Sequence, residues 1–157
     1  MKRRVLLTVS YDGTAYSGWQ KQPQENVKTV QGELDKACTA FFKNKTESIG
    51  ASRTDAGVHA LGQRAVIDIE STIPTERIPL ALNGALPEDI VITGAAGVPD
   101  GFNPRFEAVK KTYEYKIYNS KFRNPLYRNY SEYVREPLDV EKMQTAAEAF
   151  VGEHDFK

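Results

Sequence analysis

Two short stretches of this sequence combine residue types that could do chemistry. The first is Arg53-Thr54-Asp55-Ala56-Gly57-Val58-His59. An Asp held beside an Arg keeps its carboxylate ionised, and a nearby Gly permits tight backbone geometry, which suits a nucleophile or a general base. The same pattern also describes an Asx turn between two strands, with Arg53 as a surface partner. His59 is the only histidine close to Asp55, and Ser52, Asp55 and His59 lie too near one another along the chain to imply a hydrolase triad. The second stretch is Lys110-Lys111-Thr112-Tyr113-Glu114-Tyr115. Aromatic rings on a strand flanked by lysines can stack on an unstacked base while the cations meet phosphates. They can equally cover one face of a sheet.

A third stretch, Tyr11-Asp12-Gly13-Thr14, ends an apolar run. It resembles the aspartate loop of haloacid-dehalogenase-like phosphatases but lacks the nucleophile, because Ser10 stands where that loop carries its first Asp. No Walker-type phosphate loop and no dinucleotide fingerprint is present, so nucleotide cofactors are not indicated.

The elements that must position these residues follow from periodicity. Residues 3–11 read as a strand before the turn at Asp12-Gly13-Thr14. Thr29 can cap a helix running to about Lys43, with Val30, Leu34, Ala37, Phe41 and Phe42 on its inner face and Cys38 beside it. A short strand at 46–51 and a longer one at 63–70 flank the Asp55 loop, the latter alternating Ala65, Ile67 and Ile69 against Arg64, Asp68 and Glu70. A helix over 75–86, with Pro79 near its first turn, and a strand over 89–95 complete a β-α-β-β-α-β order, which is that of a split βαβ, ferredoxin-like unit. The expected fold is therefore α+β with a mainly antiparallel sheet over residues 1–104. A second α+β domain begins at 105 and stays incomplete at 157: a strand over 108–119 carrying Tyr113, a strand over 130–134, and a helix after Asp139. That helix presents Val140, Met143, Ala147, Phe150 and Val151 inward, with Leu138 and Met143 placed as a hydrophobic staple, and closes at Gly152.

Composition bounds the function. The chain has 157 residues with 21 Lys+Arg and 21 Asp+Glu. Its apolar runs fall far short of the roughly 20 residues a membrane helix needs, and no secretory leader is recognisable, so a cytoplasmic location is expected. A single Cys rules out an internal disulfide, and two His with one Cys make a dedicated zinc site unexpected. The balanced charge is unevenly spread: residues 1–64 carry 10 basic and 6 acidic side chains, 65–100 carry 1 and 6, 101–135 carry 8 and 3, and 136–157 carry 2 and 6. Two basic segments separated by an acidic one could fold into a positive cleft for a polyanion, unless the clustering is chance.

Read together, the motifs resemble the tRNA pseudouridine synthase A family. The matching pieces are Tyr11-Asp12-Gly13-Thr14 with Gly18-Trp19-Gln20, Thr29-Val30-Gln31-Gly32-Glu33-Leu34, Arg53 to Ala60 with Gly62-Gln63, Asn83 with Leu86-Pro87, Phe102-Asn103-Pro104-Arg105-Phe106, Thr112-Tyr113-Glu114-Tyr115, and Gly152-Glu153-His154-Asp155-Phe156. Ser52 departs from the Gly that many members have before that Arg. The resemblance implies the pseudouridine synthase fold, a typically homodimeric, cofactor-free isomerase, and tRNA as partner, with uridines of the anticodon stem-loop as substrate. It implies Asp55 as catalytic aspartate, Tyr113 as the ring that stacks on uracil, and Arg53 as the residue that helps flip the nucleotide. Arg105, Lys110, Lys111 and His59 are the expected RNA contacts, and no metal or cofactor site is expected. Family members continue past His154-Asp155-Phe156 to an arginine that pairs with the aspartate, so this chain is expected to be an N-terminal portion with low or no activity alone. A noncatalytic RNA-binding or tRNA-chaperone module is the alternative.

Overall fold

The computed structural model describes residues 2–24 and 26–155. They divide into two compact units, with the division of the chain between Lys111 and Thr112. In the first unit the alternating apolar residues of Lys2–Tyr11 form strand β1, whose Val5, Leu7, Val9 and Tyr11 are buried. Helix α1 (Val30–Phe42) follows, then the two-residue strand β2 (Ile49–Gly50) and strand β3 (Ala60–Glu70). A 3-10 turn at Thr75–Arg77 leads into helix α2 (Ile78–Asn83), and strand β4 (Ile90–Val98) completes the unit. The sheet runs β2-β3-β1-β4 with every neighbouring pair antiparallel, so the expected ferredoxin-like order is realised.

The core unites Leu7 and Ile67 of the sheet with Leu34 of α1 and Ile78 and Leu82 of α2. Helix α1 starts where it does because its first amides are satisfied from outside. Val30 N–H donates to the Gly18 carbonyl at 3.2 Å, Gln31 N–H to the Trp19 carbonyl at 3.0 Å, and Gly32 N–H to Thr29 Oγ1 at 3.2 Å. The helix ends as Lys43 turns left-handed at φ 60°. Phe41, expected inside, is exposed; Cys38 is fully buried, and burial pushes its thiol up to about 12.

Helix α2 is shorter than the pattern over 75–86 suggests. Pro79 sits in its first turn, and Asn83 closes it by bonding both ways to Ile92 of β4: Nδ2 donates to the Ile92 carbonyl at 3.0 Å and Oδ1 accepts its N–H at 2.8 Å. Tertiary pairing with a strand overrides further helix here.

Arg4 of β1 forks onto Asp68 of β3, with Nε to Oδ1 at 2.8 Å and Nη2 to Oδ2 at 2.7 Å, while Nη1 donates to the Phe102 carbonyl at 2.9 Å. The Arg4 hydrogen bonds hold the Asp68 carboxyl below the usual carboxylate range. A depressed carboxylate contributes stability that is present above its unfolded-state pKa and lost as pH falls through the folded one. Asp68→Asn is therefore expected to lower Tm at neutral pH. The gap to the parent should close as pH falls below about 3.9, the unperturbed Asp value, when Tm is followed against pH.

In the second unit the expected strand over 108–119 contracts to β5 (Ile117–Asn119), which pairs in parallel with β6 (Glu132–Val134). Residues 108–115 join no ladder among the described residues. Alternation supplies a strand pattern, but a strand exists only where a neighbour takes up its hydrogen bonds. Tyr118 is flanked by Tyr127 and Tyr133, at ring-centroid distances of 5.3 and 6.4 Å.

Helix α3 (Val140–Ala147) is capped by Asp139, whose Oδ1 accepts Lys142 N–H at 3.0 Å, and continues as a 3-10 turn over Glu148–Phe150. The apolar face expected on it, Val140, Met143, Phe150 and Val151, is exposed. Two three-residue strands offer too little apolar surface to cover them. Phe156, the last residue of the Gly152 motif, lies outside the described residues. No helix among the described residues is long and apolar enough to cross a membrane.

Candidate active site

The Asp55 loop leaves β2 and returns as β3, and it meets the chain emerging from the end of β1. The β1–β3 ladder slips between Val9 and Tyr11, and Ser10 Oγ instead donates to the Ala60 carbonyl at 3.1 Å. This irregularity interrupts the regular pairing where the two loops leave the sheet.

The arm that precedes Asp55 is fixed by partners distant in sequence. Ala51 N–H donates to the Arg64 carbonyl at 2.7 Å, and Gln63 Nε2 donates to the Ser52 carbonyl at 2.7 Å. Trp19 N–H donates to the Thr54 carbonyl at 3.0 Å. The Tyr11 hydroxyl and Thr54 Oγ1 share a hydrogen bond of 2.8 Å. Burial pushes the Tyr11 hydroxyl up, opposed by that bond, so Tyr11 serves as a neutral phenol. The Trp19 indole is buried against Gly50 and lies 5.9 Å from the Tyr11 ring.

Asp55 then opens a tight turn. Val58 N–H returns to the Asp55 carbonyl at 3.2 Å, and Gly57 has φ +79°, the conformation a type II turn requires at its third residue. Within the turn, Gly57 N–H donates to the Tyr16 carbonyl at 3.2 Å, and beyond it Gly13 N–H donates to His59 Nδ1 at 3.1 Å. Tyr16 is itself anchored: its hydroxyl donates to Asp89, and Lys28 Nζ lies 4.4 Å over its ring. Burial first and Asp89 second push the Tyr16 hydroxyl well above the ordinary phenol range.

The outcome is an exposed Asp55 on a turn whose two arms are both tied to residues 11–19. The expected pairing with Arg53 is corrected: both side chains are exposed and form no ion pair among the described residues. The turn that carries the carboxylate is held by backbone hydrogen bonds rather than by Arg53. Such a carboxylate can attack an electrophilic carbon or take a proton from a substrate placed over the turn.

The other candidate residues divide by unit. Arg105 Nε donates to the Gly50 carbonyl at 3.2 Å and Lys111 Nζ to the Ala51 carbonyl at 3.3 Å, which brings both cations to the start of the Asp55 loop. Lys110 is exposed. His59 is half-buried, with Nδ1 also 3.1 Å from Asp12 Oδ1. Tyr113 belongs to the second unit and is 68% exposed there. Sequence reasoning gave Tyr11, Tyr16 and Gln63 no part in holding the loop. The visible clue was a lone Trp in an otherwise polar stretch, since a buried Trp at a loop needs a built pocket.

Residues 7–107 match the family model described as tRNA pseudouridine synthase. The chain is 51% identical over 155 residues to the tRNA pseudouridine synthase A of Caldicellulosiruptor bescii, covering 99% of this chain and 63% of that protein. It is 49% identical over 156 residues to tRNA pseudouridine synthase A 2 of Clostridium tetani, again 99% of this chain and 63% of that protein. Against the tRNA pseudouridine synthase A of Limosilactobacillus fermentum it is 44% identical over 156 residues, 98% of this chain and 60% of that protein. The chain thus spans somewhat less than two thirds of the length of these relatives. With the match extending over most of its first unit and the identity over almost its whole length, the chain belongs to the tRNA pseudouridine synthase family.

Proposed function

We propose that this chain carries the catalytic aspartate of a cytoplasmic tRNA pseudouridine synthase, that Asp55 is that residue, and that the whole enzyme is a homodimer. The observation that supports the reading most strongly is the exposed Asp55 carboxylate on a turn fixed at both ends by backbone hydrogen bonds. In the reaction the bond from uracil N1 to ribose C1′ breaks, a bond from C5 to C1′ forms, the C5 proton leaves to solvent, and N1 takes up a proton in exchange. The product is an isomer, so no oxidant or reductant is consumed. Asp55 supplies the carboxylate that attacks the sugar or the ring. Tyr113 offers a flat ring to retain the loose uracil and Arg53 a cation to receive the flipped nucleotide. Arg105, Lys110 and Lys111 add positive charge for phosphates. A uridine of the anticodon stem must leave its stack, at a cost of a few kcal/mol that such contacts offset.

The test uses tRNA labelled with tritium at uracil C5, incubated with this chain and with a version extended to the length of its relatives. Release of label to water by either is the expected result. Silence from both, with tight binding of the same tRNA, would overturn the catalytic reading and favour a noncatalytic RNA-binding module. In the same preparation tRNA affinity is expected to fall linearly in log–log form as salt rises, and Lys110→Ala should reduce the slope by about 0.7–0.9. A slope near zero would remove phosphate contacts from the reading.

A further inference from the structure

His59 stands four residues beyond Asp55, at the end of the loop's returning arm. Its Nδ1 accepts Gly13 N–H at 3.1 Å and lies 3.1 Å from Asp12 Oδ1. That carboxylate oxygen is already an anchor, accepting Thr14 N–H at 2.9 Å and Thr14 Oγ1 at 2.6 Å. Beside this contact the two backbones touch, because a Cβ at Gly13 would run into the Val58 carbonyl. The Asp12–Thr14 turn is thus a rigid shelf, and the imidazole is clasped to its first two residues.

We propose that His59 is a positioning residue for Asp55: its imidazole fastens the returning arm of the loop to the Asp12–Gly13 turn, and it does not serve as an RNA contact. The proposal deepens the catalytic reading of Asp55 and rests on it. In the neutral ring Nδ1 accepts from Gly13, which places the ring proton on Nε2. In the protonated ring the same nitrogen donates to Asp12 Oδ1. Either way the side chain grips the same turn. Without it, the returning arm would be left to the Gly57 amide on Tyr16, the backbone contact at Val58 and the Ser10 hydroxyl on the Ala60 carbonyl. An arm loosened by about 1 Å is enough to cost a large factor in rate without touching affinity.

The test compares His59→Phe, which keeps a flat ring but has no acceptor, with His59→Asn, which offers Oδ1 near the place of Nδ1. Amide hydrogen exchange at Gly13 and Val58 is followed in this chain, with Leu7 in the core as the folding control. His59→Phe is expected to raise exchange at Gly13 and Val58 by about tenfold or more at unchanged Leu7 protection, and His59→Asn to stay within about threefold of the parent. The dissociation constant for tRNA should stay within about threefold in both variants. Where label release is measurable, its rate at saturating tRNA should fall in His59→Phe and recover in His59→Asn. Unchanged exchange at Gly13 in His59→Phe would overturn the proposal, as would loss of tRNA affinity in both variants. Absence of label release from parent and extended chains alike would instead count against the catalytic reading of Asp55. The exchange measurement needs no turnover, so the two failures are distinguishable.

Discussion

Asp55→Asn is expected to lower tritium release from C5-labelled tRNA by at least about 10³-fold, within the range associated with removing a positioned acid, base or nucleophile. The same substitution should leave the fold intact. Asp55 is exposed, its turn is closed by backbone groups, and Asn preserves the size and the local backbone preferences of Asp. Surface changes of this kind usually stay within about 0.5 kcal/mol, so Tm should barely move. Removing one negative charge beside a polyanion should leave tRNA affinity unchanged or slightly improved. The comparison is made by single-turnover release at saturating tRNA, using protein extended to the length of the relatives. A variant that kept most of its release rate would end the assignment of Asp55, because an amide can neither attack carbon nor accept a proton at that rate.

What the sequence made legible was local. Strand β1, helix α1 and strand β3 follow from periods of 2 and 3.6, and Thr29 was readable as a cap because its oxygen can reach Gly32 N–H. The exposed turn at Asp55 was readable because Asp and Gly in a polar stretch favour one. Features that depend on distant pairing were harder to read. Helix α2 stops at Asn83 because Ile92 offers both a donor and an acceptor to its amide side chain, and nothing within 75–86 announces that. Residues 108–115 alternate correctly and still form no strand, since a ladder needs a neighbour. The local pattern suggested that Arg53 would hold Asp55, whereas the loop is held by main-chain groups such as Trp19 N–H and the Tyr16 carbonyl. Backbone bonds of that kind are independent of side-chain identity, and so leave little trace in a single sequence. Their trace survives where close approach forbids a side chain, as at Gly13 and at Gly18, whose positive φ adds a second reason.

Gly18→Ala is accordingly expected to be among the most damaging single substitutions in the first unit. Gly18 has φ +86°, a region where an L side chain costs about 1–2 kcal/mol. An added Cβ would also collide with the Thr54 carbonyl and come within 3.2 Å of the Asp55 carbonyl carbon. The Thr54 carbonyl cannot retreat without releasing Trp19 N–H, and Gly18 cannot retreat without releasing Val30 N–H from its own carbonyl. Overpacking against fixed backbone adds about 1–3 kcal/mol, so a loss of about 2–5 kcal/mol is expected. The fall in Tm should be large beside that of Gly97→Ala, where no atom lies within 4 Å of the new Cβ and φ is not positive. Because the displaced groups flank the Asp55 turn, label release in the extended protein should fall further than the fraction unfolded accounts for. The readouts are thermal denaturation of both variants and release rates taken well below the lower Tm. If Gly18→Ala proved as mild as Gly97→Ala, the close approach of residues 18 and 54 would not be what holds the Asp55 turn in place.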